Sequence, residues 1–215
     1  MTSYNGKSLT YDEIGNPVTY GTYEYDWTLG RRLSGISEET TGTIAYCWYN
    51  DEGIRTVKVA NGVRHEYDVT GGQINREIIR SSGSASSAVM KELRYYYDAS
   101  GRPVAIRAFT CANGAAAFTE KIYYLQTNLQ GDIVAIYNDS GTLIGSYTYD
   151  AWGNCTATVE SGNTSIENSI VKNYNPFRYR GYYYDYETSM YYLQSRYYVP
   201  AWGRFLNADG YVNAK

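Results

Sequence analysis

One short phrase recurs along this chain: a tyrosine, then Asp or Asn, two variable residues and a glycine. Copies begin at Tyr11, Tyr49, Tyr67, Tyr97, Tyr137 and Tyr149. Looser variants run from Tyr25-Asp26 to Gly30 and from Asn128 to Gly131. Asp or Asn opens a turn by accepting a hydrogen bond from the backbone two residues on, and glycine supplies the positive φ that closes it. Each copy therefore predicts the tip of a β-hairpin.

The segments between the tips have the pattern of strands. In "PVTY", "IRTVKV" and "DIVAIY", β-branched and aromatic residues alternate with polar ones at period two, and helical periodicity is nearly lacking. A single hairpin is only marginally stable in water, so each must pack on its neighbours. The sequence predicts an all-β fold, an array of antiparallel β-hairpins whose tyrosine faces stack against one another.

Tyrosine also explains how this chain can have a core. It supplies 27 of the 215 residues, whereas Leu, Ile, Val and Phe together number only 39, fewer than a compact aliphatic core usually contains. Because the net charge is only −3 and the tyrosine ring is largely apolar, we expect a folded protein. The acidic pI, about 5.3, and the lack of a basic stripe argue against a nucleic-acid partner.

Segments that would direct the chain to or across a membrane are not evident. The first twenty residues lack the basic start and apolar centre of a signal peptide, and no run of 18 apolar residues suggests a transmembrane helix. Cys47, Cys111 and Cys155 form no CxxC pair, so we expect free thiols instead of a disulfide framework or a zinc site.

The chain divides by composition at residue 174. We predict a hairpin array over 1–173 and a Tyr/Arg-rich segment over 174–215, where 11 of 42 residues are tyrosine, packed together as one continuous domain. Two polar stretches, 81–88 and 160–169, are predicted to be exposed loops. In the second segment we expect a hairpin that turns around Glu187 to Ser189, with arginines stacked on tyrosine rings in a plug or cap. Those arginines are Arg178, Arg180, Arg196 and Arg204.

The amino-acid sequence of this segment is distinctive enough to be compared with a known family. "NPFRYRGYYYDYETSMYYLQSRYYVPAWGRFLNADG", preceded by "NLQGDIVAIYNDSGTLIGSYTYDAWGN", resembles the repeat-associated core and lead-in of the YD-repeat, or Rhs, family. With the repeated phrase, the resemblance covers nearly the whole chain. Ser189 and Met190 replace the usual Gly-Leu of the family, and Val199 replaces an Asp. A serine at 189 puts the turn type in question, because a positive φ there costs energy.

The resemblance implies a role for the chain. Family members form a hollow, spiral β-shell that the core segment seals and that a variable toxin or effector segment follows. We therefore expect a non-catalytic scaffold, a terminal fragment of a secreted or surface-displayed polymorphic-toxin shell, whose partners are the rest of that shell and its C-terminal effector. Members can also cut themselves through an aspartate-dependent step. Because the sequence ends six residues after Asp209, we expect no self-cleavage here.

An enzyme interpretation finds little support among the residues. Catalytic phrases such as GxSxG, HExxH or a P-loop do not occur, and the single histidine, His65, is predicted to be a surface strand residue. The aspartates of the repeated phrase lack calcium-ligand spacing and are assigned to turns: Asp12, Asp68, Asp98 and Asp150. The sequence thus predicts no catalytic residue, no metal site, no cofactor site and no cofactor.

A carbohydrate-binding or adhesion module at the cell surface is the alternative function. Exposed tyrosines could stack on sugars, although the four tryptophans are too dispersed to form a recognisable aromatic box: Trp27, Trp48, Trp152 and Trp202. Packing between hairpins is the simpler explanation for the tyrosines. An incomplete shell would also expose strand edges, through which a homo-oligomer could form.

Overall fold

The computed structural model describes residues 2–111 and 118–208. It is 56% strand and 8% helix, which confirms the predicted all-β class. None of the described helices is both long and apolar enough to span a bilayer.

A 15-stranded antiparallel sheet, here called the wall, contains most of the hairpins. Each strand pairs with the next one along the chain, so the sheet is one continuous meander. Its strands are β1 (Ser3–Tyr4), β2 (Lys7–Tyr11), β3 (Pro17–Tyr20), β4 (Tyr23–Thr28), β5 (Arg32–Glu38), β6 (Gly42–Tyr49), β7 (Arg55–Ala60), β8 (Val63–Thr70), β9 (Gln73–Arg80), β10 (Val89–Tyr97), β11 (Pro103–Cys111), β12 (Phe118–Thr127), β13 (Ile133–Tyr137), β14 (Leu143–Tyr149) and β15 (Cys155–Val159).

A second, four-stranded antiparallel sheet, here called the plug, follows the wall. Its strands are β16 (Tyr183–Asp185), β17 (Met190–Leu193), β18 (Arg196–Val199) and β19 (Arg204–Phe205). Single 3-10 turns precede and interrupt it at Tyr179–Gly181 and Pro200–Trp202. The predicted turn forms between β16 and β17, and Ser189 adopts a φ of 55° there.

The stretch 160–169, predicted to be a loop, contains a short helix. Helix α1 (Ser165–Ser169) continues into one π-helical turn, Ile170–Tyr174. Thr164 and Glu167 form a reciprocal capping box at its start, in which the Glu167 N–H donates to the Thr164 hydroxyl at 3.2 Å and the Thr164 N–H donates to the Glu167 carboxylate at 2.8 Å. The loop prediction overlooked this pair. The serine-rich stretch 81–88 forms no helix or strand, as predicted.

Most copies of the repeated phrase form the predicted turn. In each, the Asp or Asn side chain accepts from the backbone N–H four residues on, and the glycine has a φ between 74° and 89°. These turns begin at Asp12, Asn50, Asp98, Asn128, Asn138 and Asp150.

Two copies depart from the prediction. Asp26 and Asp68 lie inside strands β4 and β8, and the turns come later in the chain. The second of these turns is a two-residue connection, Gly71-Gly72, with positive φ at both positions. The assignment of Asp68 to a turn was therefore wrong: its carboxylate lies on the sheet surface and pairs with Arg76 at 3.2 Å.

The plug packs on one face of the wall, in two clusters of apolar side chains. Around β10 to β14 the cluster is mainly aliphatic and includes Ile106, Ile133 and Ile136, all fully buried, with Phe177 from the chain leading into the plug. Around β2 to β8 it is mainly aromatic and joins wall tyrosines to plug tyrosines: Tyr20, Tyr25, Tyr67, Tyr183, Tyr192 and Tyr197. Tyrosine thus provides much of the core, as the composition predicts.

Candidate functional site

Buried charges hold the plug on the wall. Arg55 and Lys58 come from β7, and Asp185 from the end of β16. The Arg55 guanidinium donates to both Asp185 carboxylate oxygens, at 2.5 and 3.0 Å, and Lys58 Nζ donates to Asp185 at 2.9 Å. Lys58 also donates to Glu187 at 2.7 Å. Each of these side chains is at most 3% exposed, so water screens the pairs poorly.

A local irregularity in the sheet places both cations on the plug side. Trp48 pairs with Val57 and Tyr49 with Arg55, so Thr56 is an extra residue without a partner on β6. In a regular strand, residues three apart point to opposite faces, but this bulge turns Arg55 and Lys58 to the same face.

His65 and Glu77 extend the cluster on β8 and β9. Nδ1 of His65 lies 2.6 Å from Glu77 Oε1, and Nε2 lies 3.6 Å from Glu187 Oε1. Glu77 also accepts hydrogen bonds from the hydroxyls of Tyr95 and Tyr183. His65 is therefore buried and contacts the plug. Its prediction as a surface residue was wrong, because a lone histidine gives no sign of which strand face is covered.

The environment sets the ionisation of these groups. Burial by itself would raise the pKa of Asp185, but the Arg55 and Lys58 charges outweigh it and hold that pKa at about 2. For Glu77, burial is again opposed, here chiefly by the hydrogen bond to His65, and the pKa lies below its ordinary value. Burial raises the pKa of Tyr183 well above its ordinary value. Both carboxylates are thus ionised at neutral pH, and the tyrosine is neutral.

Tyrosine rings surround the Arg55 guanidinium. Its central carbon lies 4.1 Å from the centroid of the Tyr192 ring, 5.0 Å from Tyr67 and 5.4 Å from Tyr183. The Arg55 backbone N–H donates to the Tyr192 hydroxyl at 2.9 Å. Cation–π contacts of this kind gain strength when water is excluded. Wall and plug therefore enclose the Arg55 cation between them.

Two of the four arginines singled out in residues 174–215 stack on tyrosine rings as predicted: Arg178 lies over Tyr147 at 4.2 Å and Arg180 over Tyr179 at 5.2 Å. Arg196 lies over a phenylalanine, Phe205, at 3.7 Å. For Arg204 the predicted stacking stays a prediction. Arg178 reaches across to the wall, since Tyr147 belongs to β14. The other two rings lie within the plug segment itself.

A second junction joins the plug to both ends of the wall. At the first hairpins, the Tyr4 hydroxyl donates to the Ala201 carbonyl at 3.1 Å, and the Trp202 ring lies 4.6 Å from that of Tyr20. At the last hairpin, the Tyr198 hydroxyl donates to the Trp152 carbonyl at 2.8 Å. The wall therefore curves until its first and last hairpins contact the same five-residue stretch, 198–202.

The charged groups of the ion cluster pair with one another, and the void beside His65 and Glu77 measures only about 10 Å³, too small for a substrate. A larger cavity of about 310 Å³ lies elsewhere between wall and plug, and its lining includes Tyr97, Tyr183 and Tyr192. Among residues 2–111 and 118–208, no His, Cys, Asp and Glu side chains cluster in a way that could hold a metal ion. Asp209, the residue considered for self-cleavage, lies outside the described residues.

Known proteins resemble this chain in sequence and in fold. Over 210 residues the chain is 34% identical to the tRNA3(Ser)-specific nuclease WapA of Bacillus spizizenii and to the tRNA nuclease WapA of Bacillus subtilis strain 168. Residues 115–215 match the Teneurin YD-shell family. The chain belongs to the YD-repeat (Rhs) shell family. The TcdB2-TccC3 crystal structure has a similar fold: it superposes with a TM-score of 0.72 at 19% identity over 93% of this chain.

These similar proteins are much longer than this chain. The aligned region covers 97% of this chain but only 8% of each WapA protein and 10% of the TcdB2-TccC3 chain. The chain thus corresponds to a small part of each.

Proposed function

We propose that this chain is a non-catalytic part of a YD-repeat shell, and that its plug seals the shell beside a C-terminal effector segment. The observation that carries the proposal is the double junction. One stretch of the plug touches both ends of the curved wall, and a buried ion cluster fixes the plug to the wall between them. A wall closed in this way fits an enclosing shell better than it fits an enzyme.

The relatives support the proposal that the effector lies elsewhere in a longer polypeptide. The WapA proteins are named as tRNA nucleases, yet the region they share with this chain is 8% of their length and contains the wall and plug. We infer that a nuclease or other effector activity belongs to a separate segment. Secretion or surface display, and the division into an array over 1–173 and a core segment over 174–215, are parts of the same proposal.

Protection of a downstream segment tests the proposal. The chain is expressed within a long YD-repeat polypeptide that continues into an effector segment, and the effector is probed by limited proteolysis. We expect the effector to resist cleavage in the wild type and to be cut faster when Asp185→Asn weakens the junction. The control Glu120→Gln alters an exposed carboxylate and should change nothing. Equal cleavage of the effector in the wild type and in D185N would argue against sealing.

Carbohydrate binding stays a prediction as the alternative function, and a glycan array with the purified chain tests it. Association through strand edges stays a prediction in the same way, with sedimentation as its test.

A further inference from the structure

The outer face of the wall, opposite the plug, carries two different surfaces. From β8 to β12 its carboxylates are paired with arginines on the same face: Glu66 with Arg64 and Arg80, Asp68 with Arg76, Glu92 with Arg76 and Arg94, and Glu120 with Arg107. All of these N–O distances are 3.2 Å or shorter. Each of these carboxylates therefore has a cationic partner on the same face.

Across β4 to β6 the same face differs. Asp26 pairs in register with Gly35, and Gly35 pairs with Tyr46, so the three residues form one row on the outer face. A Cβ atom added at Gly35 would come within 2.6 Å of the Asp26 carboxylate. The carboxylate therefore lies over Gly35 and fills the space above it, on the side of the row that faces Tyr46.

An open groove of about 530 Å³ lies along this row. Tyr46 and Trp48, 45% and 49% exposed, form one wall with ring centroids 6.2 Å apart. Asp26, Thr28 and Leu29 line the groove as well. Exposed aromatic surface next to polar groups is typical of an interaction site.

The Asp26 carboxylate forms no ion pair within residues 2–111 and 118–208, and the same holds for Glu24, the next outward residue on β4. A carboxylate beside aromatic faces attracts a cation, since the charge pairs with the oxygen while the ring quadrupole stabilises the same positive group. A neutral sugar would use the rings but would leave the carboxylate's charge unmatched.

We propose that this groove binds an arginine or lysine side chain of a basic segment in a partner polypeptide. The guanidinium or ammonium group lies in the groove between Asp26 and the two rings, bound by the Asp26 carboxylate and packed on Tyr46 and Trp48. This recognition is independent of the shell function, because it uses the face that the plug does not touch.

Titration of the purified chain with a short arginine-rich peptide, followed by isothermal titration calorimetry, tests the proposal. We expect saturable binding that Asp26→Asn weakens about fivefold and Trp48→Ala about tenfold, in line with one exposed charge pair and one cation–π contact. The matched controls are Glu120→Gln, an outer-face carboxylate with an arginine partner, and Tyr124→Ala, an outer-face ring that is 49% exposed. Both should bind as the wild type does.

Three results would overturn the proposal. One is the lack of saturable binding, and another is equal weakening by E120Q and D26N, which would indicate non-specific attraction to an acidic protein. The third is binding of a neutral oligosaccharide that W48A abolishes and D26N leaves intact, because the groove would then be a sugar site. All four substitutions are on the surface, and circular dichroism of each variant verifies that the fold is retained.

Discussion

The Tyr149 hydroxyl donates a hydrogen bond of 2.7 Å to the carbonyl oxygen of Ile133, on the preceding strand. Tyr49 and Tyr97 do the same with Leu33 and Ile74, at 2.6 and 2.7 Å. Each is the tyrosine that begins a copy of the repeated phrase. The phrase therefore joins a turn to the strand before it: the Asp or Asn shapes the turn, and the tyrosine ties that turn's hairpin to its neighbour.

Removing this hydroxyl should weaken the wall. Tyr149→Phe keeps the ring but leaves the Ile133 carbonyl without its donor, and we expect a loss of about 1 kcal/mol in the free energy of unfolding. Urea unfolding monitored by circular dichroism measures it. Tyr124→Phe, which alters an exposed tyrosine, is the control and should be neutral. Equal stability of Y149F and the wild type would show that the hydroxyl contributes nothing.

Breaking the buried ion cluster should have a larger effect. Asp185→Asn leaves Arg55 and Lys58 without their shared carboxylate in a site that water does not reach, which costs about 3–5 kcal/mol. The same urea experiment measures this change, with E120Q as the matched exposed control. A loss in D185N no greater than that in E120Q would mean that the cluster adds no cohesion.

Acid should weaken the same junction. The Asp185 carboxyl has a pKa of about 2 in the folded chain and 3.8 as its ordinary value, so its charge stabilises the fold above pH 4. That contribution, about 2 kcal/mol, is lost as the pH falls from about 4 to 2. The difference in unfolding free energy between the wild type and D185N should therefore narrow by about 2 kcal/mol across this range. A constant difference between the two proteins would contradict the assignment.

Alkali should act through the tyrosines. Burial raises the pKa of Tyr95, Tyr183 and Tyr197 well above 10, whereas the unfolded chain ionises near 10. The folded state then holds protons that the unfolded state releases, and stability falls by about 1.4 kcal/mol per pH unit above 10 for each such tyrosine. Tyrosinate absorbance and circular dichroism should change together in one cooperative transition. Gradual ionisation without unfolding would show that the rings are accessible to solvent.

The turn at Ser189 offers a stabilising substitution. Serine holds a φ of 55° there, a conformation that glycine adopts without a Cβ penalty. Ser189→Gly should raise the free energy of unfolding by about 0.5–1 kcal/mol, less the entropy that glycine gains in the unfolded chain. The thermal midpoint measures the change, and Ser140→Gly in an exposed wall turn serves as the control. A lower midpoint for S189G would show that the serine side chain itself supports the turn.

The sequence was most informative where chemistry is local. Turn residues act on their own backbone, so most of the hairpin tips could be predicted from the repeated phrase. The error at Asp68 has a physical cause: two consecutive glycines, Gly71 and Gly72, offered a tighter turn than the phrase did. The Asn-Gly pairs at Asn5 and Asn61 also form turns, with positive φ at both residues, and their signal was overlooked.

The candidate site could not be predicted in the same way. Arg55 and Lys58 share a face only because of the bulge at Thr56, and their carboxylate partner is 127 to 130 residues away in the chain. Period-two alternation assigns these cations to opposite faces. Glu77 was the readable clue, since it directly precedes two isoleucines in a strand, where a charge that points inward requires a partner.

The contacts of Tyr4 and Trp152 with neighbouring plug residues also bear on how the protein fails. An open meander can fray from either end, one hairpin at a time, as linear repeat proteins do. Here the two terminal hairpins both contact residues 198–202, so the unfolding of either hairpin disturbs the contacts of the other. The array is therefore a closed ring, and we expect it to unfold cooperatively, not one hairpin at a time.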